Sequence, residues 1–457
     1  MTNRLGQHAI VIGGSIAGLI TAGMLAEHFD HITVLERDHI DQQPALHKSI
    51  PQGAHFHTML LGGQQVLSSL YPGFTDKLQS MGAVRVRIAE EIVFYPPGGG
   101  RAYSSTGSIK EPRDLGYSLH SQSRGLLEHC IRQFTLALPN VRLESDAAVQ
   151  GLIYGDVRVQ GVRYTSADGA GPLEADLVVD AGGRGSHAPR WLGELGFATP
   201  VETVIGVDFA YSTAKFRKPD HCDESAKIVA LYGAPPDNAS GALLAEIEDG
   251  LWQVSLAGRF GEYPPDDGEG FLAFAKSLYS TRLYDLIKDA RRASEVSHYR
   301  FPTSVQRHYE RLSAFPERFI VLGDAISSFN PVYGQGMSSA ALQARSLGRL
   351  LSKRAAESRG LDGLVAEFFP QAAEVVSAPW TLSAGSDFAY PKTRGERPPD
   401  REAAVQYFTA LDSIAGEDAD VHRLLVEVFG LAKPLSALME EPLRSRVLAR
   451  FQARASA

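Results

Sequence analysis

The sequence predicts a mixed α/β fold in which an antiparallel sheet is inserted into a helix-covered parallel sheet and further helices end the chain. Three observations predict it. The N-terminus has the pattern strand, small-residue turn, helix, strand; residues 201–300 contain short runs of alternating hydrophobicity; and the chain after about residue 360 shows helical periodicity. A chain of 457 residues is long enough for two or three domains with a sizeable core.

The N-terminal pattern predicts a dinucleotide-binding unit. Its predicted elements are a strand at residues 8–12, a small-residue turn at 13–18, a helix at 19–27 and a strand at 32–35. In such a unit the turn lets a pyrophosphate lie at a helix N-terminus, and a carboxylate after the second strand binds ribose hydroxyls. Glu36 follows Gly13 by 23 residues, close to the usual spacing, and its charge favours FAD or NAD over NADP.

The turn departs from the usual glycine pattern at one position. The pattern has glycines at positions 13, 15 and 18, and position 15 is Ser15. Gly14 compensates in part, because it also lacks a side chain that would block a phosphate. The uncharged run of residues 9–26 is also compatible with a signal peptide or a membrane span, but its glycines and the single Arg4 before it argue against both.

Composition argues against several classes of protein. The formal net charge is −8 and no basic run occurs, which argues against binding to nucleic acid or anionic lipid. Cys130 and Cys222 lie far apart without metal-type spacing, so we expect reduced thiols in a cytoplasmic protein. His55 and His57 have no third ligand nearby in sequence, so a loop that passes a cofactor is favoured over a metal site.

Further elements follow in order along the chain. They are a helix at 59–70, strands at 84–88 and 91–94, a turn at 96–100, a hairpin at 149–164 with its turn at Gly155 and Asp156, a strand at 175–180, a glycine-rich turn at 181–185, a helix at 270–283, a strand at 319–322, a helix at 337–351 and an interruption of the C-terminal helices at 385–399. Ser121 or Ser123 can cap a helix that starts at Arg124. A cation in a first helical turn gains nothing from the helix dipole, so we consider both a flavin or phosphate partner and a surface role for Arg124.

Three motifs in this order resemble a known enzyme class. They are the N-terminal turn, DLVVDAGGRGS and GDAISSFNPVYGQGM. Over about residues 5–350 the chain thus resembles the FAD-dependent monooxygenases of the aromatic-hydroxylase class. The last motif, with PQGAHFH and SAPWTLSAGSDFAYP, is similar to bacterial flavin epoxidases of polyether and polyketide antibiotic biosynthesis. Squalene epoxidases are more distant.

The resemblance implies a Rossmann-like FAD domain, an inserted β-rich substrate domain and a C-terminal helical cap. The FAD domain would comprise residues 1–75, 110–195 and 296–358, the substrate domain 76–109 and 196–295, and the cap 359–457. The implied FAD contacts are Gly13, Gly14, Ser15 and Gly18 to the pyrophosphate, Glu36 to the ribose, Arg37 and Arg124 along the adenosine and diphosphate, Gly323 and Asp324 to the ribityl chain, and Pro331, Gly334, Gln335, Gly336 and Met337 to the isoalloxazine.

One departure from the class concerns the electron donor. Hydroxylases of this class usually carry Asp-Gly in the middle motif, where this chain has Gly182 and its nearest acid is Asp180, two residues earlier. Both direct reduction by NADPH or NADH and reduction through a separate flavin reductase are therefore considered.

The resemblance implies that a flavin hydroperoxide delivers one oxygen atom from O2 to an apolar small molecule. Epoxidation needs no protein base, whereas phenol hydroxylation gains from one. His55, His57 and Tyr333 are candidates only by neighbourhood, so no catalytic side chain is identified. The prediction is a cytoplasmic FAD-dependent epoxidase of secondary metabolism that acts on polyketide or terpenoid alkenes, without a metal.

Other activities on related folds are less favoured. An aromatic or polyketide hydroxylase is the main alternative, and a non-catalytic lipid carrier is a distant one. Flavin halogenases carry a WxWxIP string, whereas Trp191, Trp252 and Trp380 are isolated. Baeyer–Villiger enzymes carry a second nucleotide-binding turn for NADPH, which the sequence lacks.

Overall fold

The computed structural model describes residues 4–41, 43–44, 50–167 and 169–455. The strands, numbered along the chain, are β1 (Gly6–Ile12), β2 (Phe29–Leu35), β3 (Val84–Arg87), β4 (Ile92–Phe94), β5 (Ser118–Ser121), β6 (Val141–Glu144), β7 (Ala148–Gly155), β8 (Arg158–Ser166), β9 (Gly169–Glu174), β10 (Leu177–Asp180), β11 (Glu202–Arg217), β12 (Ile228–Leu231), β13 (Gly241–Ile247), β14 (Leu251–Arg259), β15 (Ser297–Arg307), β16 (Phe319–Val321) and β17 (Ser327–Ser328). The helices are α1 (Ile16–Leu25), α2 (Leu61–Leu70), α3 (Phe74–Ser80), α4 (Arg124–Leu136), α5 (Ala188–Glu194), α6 (Gly268–Ser277), α7 (Arg282–Ile287), α8 (Gly336–Ala356), α9 (Leu364–Asp387), α10 (Arg401–Glu417), α11 (Ala419–Phe429) and α12 (Leu443–Ala455).

A parallel five-stranded sheet forms the centre of the first layer. Its strand order is β16-β10-β1-β2-β6, and all its pairings are parallel. Ile10, Val178 and Ile320 are fully buried, as expected for strands that helices cover on both faces. The carboxyl ends of β1, β2, β10 and β16 therefore meet at one edge of the sheet, which is where open α/β sheets bind ligands.

The first helix begins earlier than the sequence predicts. We expected the turn to run from Gly13 to Gly18, but α1 starts at Ile16 and Gly18 lies within its first turn. Ser15 occupies the N-cap position without a capping hydrogen bond from its side chain. Serine is a common N-cap residue, but the glycines on both sides of it predict a longer turn. Farther along α1, the helix packs against α8, where Gly348 lies against Met24.

A second, seven-stranded sheet is built from both early and late segments of the chain. Its order is β17-β15-β11-β14-β13-β12-β4, antiparallel except where β4 pairs in parallel with β12. The mixed α/β fold class predicted from the sequence is confirmed. Separate two-stranded and three-stranded sheets, β3-β5 and β7-β8-β9, complete the strand pairing of the described residues.

Two local predictions are wrong in detail. The hairpin turn lies at Asp156 and Val157, one residue later than predicted, and both residues have a positive φ of 52° and 59°. Such a pair of left-handed residues matches the twist of a two-residue hairpin. The single helix expected over residues 270–283 is two helices, α6 and α7, because Leu278 adopts an extended conformation with ψ of 158°.

The C-terminal helices divide into two groups. The start of α9 packs into the core of the parallel sheet, where Leu364 and Phe368 are buried together with Phe319. Helices α10, α11 and α12 enclose a separate apolar core, whose buried members include Leu411, Ile414, Val421, Leu425, Val428, Leu438 and Val447. We call α10–α12 the C-terminal bundle.

The C-terminal bundle meets the rest of the chain through a polar seam. The Arg113 guanidinium donates hydrogen bonds to the backbone carbonyls of Ala415 (2.6 Å) and Gly416, and Thr106 donates to Asp412 at 2.8 Å. None of the described helices combines the length and the apolarity that a membrane crossing needs.

Candidate flavin site and substrate cavity

A cavity of about 2380 Å³ runs from the edge of the parallel sheet to the C-terminal bundle. At one end it is lined by Gly13, Glu36 and Asp180, which follow or end the parallel strands. It continues beneath the seven-stranded sheet and reaches the end of α9. There its lining includes Phe209, Tyr211, Tyr299, Phe301, Tyr333, Trp380, Phe388 and Tyr390, and we call this part the aromatic chamber.

The turn after β1 packs so tightly that two of its residues must be glycine. Gly13 has a φ of +102°, and a Cβ on it would stand 2.7 Å from the carbonyl oxygen of Ala181. A Cβ on Gly18 would stand 1.8 Å from the carbonyl oxygen of Gly13. The first turn of α1 consequently lies against the end of β1, and its unpaired amides are presented to the cavity.

The Ser15 side chain is held by α4, which explains how serine is tolerated in the turn. Its Oγ donates a hydrogen bond to Glu128 Oε2 at 2.6 Å and accepts one from Arg124 Nη2 at 2.7 Å. Arg124 also pairs with Glu128 at 3.0 Å, and its Nη1 donates to Met337 Sδ at 3.2 Å. The structure therefore brings together Ser15, Arg124 and Met337, three residues from separate motifs.

Glu36 ties the end of β2 to the glycine turn. Its Oε2 accepts a hydrogen bond from the Gly14 amide at 2.7 Å, and its Oε1 accepts one from the Asp38 amide at 2.9 Å. A carboxylate oxygen can accept a second hydrogen bond, so ribose hydroxyls can still bind here. Arg37 is exposed and lines the same end of the cavity.

Asp324 is a deeply placed carboxylate that faces the cavity. Among the described residues it has no hydrogen-bond or ion-pair partner, and burial raises its pKa although Arg124 and Arg184 oppose the shift. A carboxylate in such a place calls for donors from a ligand. The hydroxyl groups of a ribityl chain are donors of the right kind. The neighbouring Gly323 amide donates to Gln343 Oε1 at 2.8 Å.

The loop before α8 has the form that the sequence indicates. Asn330 accepts a hydrogen bond from the Val332 amide, a short 3-10 turn covers Pro331–Tyr333, and Gly334 ends it with a φ of +66°. Helix α8 then begins at Gly336, and a Cβ there would stand 3.5 Å from Asp324 Oδ1. The buried Gln335 has an Oε1 without a partner among the described residues.

Three features of the residues around this cavity fit FAD. The turn has no room for side chains at its two key glycines, the carboxylate of Asp324 lacks a partner, and the helix starts of α1 and α8 face one cavity. All of the residues named from the resemblance lie along this cavity except three glycines: Gly14, which packs against Glu36, Gly18, which packs against the Gly13 carbonyl, and Gly323, which packs against Ala17.

The glycine-rich turn after β10 is held by its own acid. Asp180 accepts hydrogen bonds from the Gly182 amide at 2.7 Å and from Ser186 Oγ at 2.6 Å. A Cβ on Gly182 would stand 2.8 Å from Asp180 Oδ1. The carboxylate of Asp180 therefore fills the space that an acidic side chain at position 182 would need.

Two histidines line the cavity in the neutral form. Burial lowers the pKa of His55 to about 3; its Nδ1 lies 2.7 Å from Thr213 Oγ1 and its ring is edge-on to Tyr211. Burial and the nearby Arg124 lower the pKa of His57 to about 4, and its Nδ1 donates to the His55 carbonyl at 2.9 Å. In the described part of the chain, no group of three or more His, Cys, Asp or Glu residues could hold a metal ion.

A buried cluster beside the loop before α8 escapes the sequence analysis. Asp387 Oδ1 accepts hydrogen bonds from Arg259 (2.7 Å), Asn330 (2.8 Å) and Tyr333 (2.8 Å). Arg259 also lies over the rings of Phe209 and Tyr390, at 5.3 and 4.8 Å from their centroids. Arg259 and Asp387 are 128 residues apart, so no local pattern indicates the pair.

Comparison with known proteins identifies relatives over most of the chain. Protein Rv3254 of Mycobacterium tuberculosis (strain ATCC 25618 / H37Rv) is 31% identical over 401 residues, which cover 85% of this chain and 82% of that protein. The 6-hydroxy-3-succinoylpyridine 3-monooxygenase HspB of Pseudomonas putida (strain DSM 28022 / S16) is 25% identical over 365 residues, covering 78% and 82%. No family model matches the chain.

Solved structures share the fold at low sequence identity. The flavin-dependent brominase Bmp2 superimposes with a TM-score of 0.68 at 13% identity and covers 98% of this chain and 100% of its own. The p-nitrophenol 4-monooxygenase PnpA of Pseudomonas putida DLL-E4 gives 0.64 at 19% identity, with 94% and 99% covered. The chain therefore belongs to the same family as Protein Rv3254, and it is an enzyme built on the fold of the flavin-dependent monooxygenases.

Proposed function

We propose that the chain is an FAD-dependent monooxygenase that transfers one oxygen atom of O2 to a carbon–carbon double bond of an apolar small molecule. Polyketide and terpenoid alkenes of secondary metabolism, as in antibiotic biosynthesis, are the substrates of choice. The observation that carries the proposal is the continuity of one cavity from the glycine turn to the aromatic chamber. Alkene epoxidation needs no protein nucleophile, only a dry chamber next to the cofactor.

The proposed cofactor contacts follow the edge of the parallel sheet. Gly13, Gly14, Ser15 and Gly18 would receive the pyrophosphate, Glu36 the ribose, Arg37 and Arg124 the adenosine and diphosphate, Gly323 and Asp324 the ribityl chain, and Pro331, Gly334, Gln335, Gly336 and Met337 the isoalloxazine. The bound cofactor, once reduced, activates O2 and supplies the oxygen atom.

The chain's own residues bind the substrate and keep water out. Phe209, Trp380 and Phe388 provide apolar surface in the aromatic chamber. The hydrogen bonds of Asn330 and Tyr333 to Asp387 fix the loop before α8 to the end of α9. This loop therefore forms a rigid wall, which favours a single orientation of the substrate.

Hydroxylation of a hydroxyaromatic ring is the second candidate, and His57 supports it. Because Nδ1 of His57 donates its proton to a backbone carbonyl, the lone pair lies on Nε2. Burial keeps this imidazole neutral, with its pKa at about 4. Such a group can accept a hydrogen bond from a phenolic hydroxyl and orient the ring. The name of HspB, a monooxygenase of a hydroxypyridine, is consistent with this chemistry.

Product analysis under ¹⁸O₂ tests the proposal. The flavin-loaded protein is incubated with NADPH or NADH, with and without a flavin reductase, and with a panel of polyenes and phenols. An epoxide that carries one ¹⁸O atom supports the first candidate. Labelled phenol products with untouched alkenes would replace it with the second. A colourless protein that refuses added FAD would reject both and favour a lipid carrier.

The same preparation tests the electron donor. Position 182 carries no carboxylate and Asp180 is only 1% exposed, so we propose that a nicotinamide cofactor gains no contact from an acid in this turn. Anaerobic addition of NADPH or NADH bleaches a flavin that is reduced directly. A flavin that stays oxidised until a reductase is added assigns the reduction to a separate protein.

A further inference from the structure

Arg259 brings a positive charge to the wall of the aromatic chamber. Only 5% of its side chain is exposed, and it lies over the faces of two chamber rings. Its charge is matched by Asp387, whose side chain is 1% exposed. The pair is held further by Tyr333, whose hydroxyl donates to Asp387 and accepts from Arg259 at 3.3 Å.

One other cation in the described lining reaches the aromatic chamber: the Arg184 guanidinium lies 4.6 Å from the centre of the Phe301 ring. The described lining of the whole cavity contains five arginines and no lysine. Arg37 and Arg124 lie at the glycine turn. Arg184 donates to the carbonyl and hydroxyl of Thr303 and to Ser328 Oγ, and the nearby carboxylate of Asp324 opposes its charge. Arg401 begins α10 in the C-terminal bundle. A carboxylate or sulfonate in the chamber would therefore meet only arginines whose charge an acid of the chain already opposes.

The outer part of the cavity adds a second obstacle to anions. Glu396, Asp400 and Asp412 line it together with the single Arg401. Carboxylates thus outnumber cations along the path from solvent to the chamber. An anion that approaches through this part meets a repulsive field, and an uncharged molecule does not.

We propose that Asp387 determines substrate specificity: by neutralising Arg259, it restricts the aromatic chamber to uncharged apolar substrates. The inference rests on the proposed function only in taking the chamber as the substrate site. Burial of an anion beside an already neutral ion pair costs its desolvation without a compensating partner. Removal of the Asp387 charge leaves Arg259 as a buried cation that an anionic ligand can pair.

Two fluorescent probes of one framework test the proposal by binding alone. N-phenyl-1-naphthylamine is uncharged, and 1-anilinonaphthalene-8-sulfonate is the same framework with a sulfonate. Each is titrated into the flavin-loaded protein without reductant, so failure of oxygen transfer leaves the result unaffected. For the native protein we expect the uncharged probe to bind about 10-fold more tightly or better.

The variants identify the cause of the preference. In Asp387→Asn we expect the sulfonate probe to gain about 10-fold in affinity, with little change for the uncharged probe. Tyr333→Phe removes a hydrogen bond from the same cluster without a change of charge, and should keep the native ratio. The double variant Arg259→Met/Asp387→Leu replaces the pair by apolar groups and should also keep the native preference.

Three results would overturn the proposal. They are equal affinity of both probes for the native protein, failure of the uncharged probe to bind it, and an unchanged ratio in folded Asp387→Asn. If Asp387→Asn does not fold, the double variant decides: a preference for the sulfonate probe there would also reject the assignment.

Discussion

Ser15 and Glu128 are joined by a hydrogen bond of 2.6 Å, although they lie 113 residues apart in the chain. This bond holds the one side chain of the glycine turn that could obstruct a phosphate. Glu128 also neutralises Arg124, which contacts Met337, so the turn, α4 and the start of α8 are connected through this buried pair.

Removal of that acid is expected to destabilise the protein and weaken FAD binding. In Glu128→Ala, Arg124 loses its buried partner, at a cost of about 3 kcal/mol in the free energy of unfolding. Urea titration and the flavin-to-protein absorbance ratio measure the two effects. Glu194→Ala removes an exposed pair with Arg190 and should cost less than about 0.5 kcal/mol. Equal losses for the two variants would contradict the role of Glu128.

A methyl group at Gly18 is expected to disrupt the glycine turn. Because a Cβ there would overlap the carbonyl oxygen of Gly13, Gly18→Ala must displace α1 or β1, at a cost of about 3 kcal/mol. The variant should purify with little flavin and a lower melting temperature. Gly171→Ala is the control, since a Cβ there meets nothing within 4 Å. A fully flavinylated Gly18→Ala protein of native stability would refute the tight-turn geometry.

Asp324→Ala is expected to lose affinity for FAD by about 10-fold to 100-fold, because one or two charge-assisted hydrogen bonds are lost. Asp324→Asn keeps one acceptor oxygen, so its affinity for FAD should lie between those of Asp324→Ala and the native protein. The dissociation constant is measured by quenching of flavin fluorescence on addition of the apoprotein. Asp362→Ala, at an exposed carboxylate, should bind FAD normally. Native affinity in Asp324→Ala would show that the placement of this residue is wrong.

His422 is expected to limit stability in acid. Burial, assisted by Arg113, lowers its pKa in the folded state to about 4, below the value of about 6.5 for an unfolded chain. Its contribution is therefore complete above pH 6.5 and is lost as the pH falls through 4. His422→Leu should reduce this acid loss by up to about 3 kcal/mol, as measured by urea titrations from pH 7 to pH 4.

The control for this measurement is His221→Gln, because His221 is exposed. Its unfolding free energy should follow the native pH dependence. If the unfolding free energies of His422→Leu and the native protein depend on pH in the same way, His422 does not contribute to the loss of stability in acid.

Local chemistry made the fold class predictable. The run of buried aliphatic residues in β1, the glycines after it and Glu36 are all close in sequence, and their patterns follow from backbone geometry. The start of α1 was misplaced because Gly18 was assigned to the turn, whereas it lies inside the helix and is glycine because the helix packs on the Gly13 carbonyl. The break between α6 and α7 was missed because it depends on one extended residue, Leu278, without a proline or glycine at that position.

Long-range pairs could not be predicted in the same way. Arg259 lies on β14 and Asp387 at the end of α9, so their contact depends on how two distant elements pack. The sequence shows two histidines at positions 55 and 57 but not their hydrogen bonds. Only the structure shows which nitrogen of His57 carries its proton. Sequence reasoning therefore found the backbone features that suit FAD but missed the charges of the aromatic chamber.

The polar seam of the C-terminal bundle has a consequence for protein engineering. The bundle has its own apolar core, and polar contacts such as those of Arg113 to Ala415 and Gly416 attach it to the rest of the chain. Its α10 and α11 residues line the outer cavity, whereas the residues that suit the flavin belong to other elements. A C-terminal bundle of another length, joined at residue 400, would change the size of the outer cavity to suit longer or shorter molecules. The residues that suit the flavin would stay unchanged.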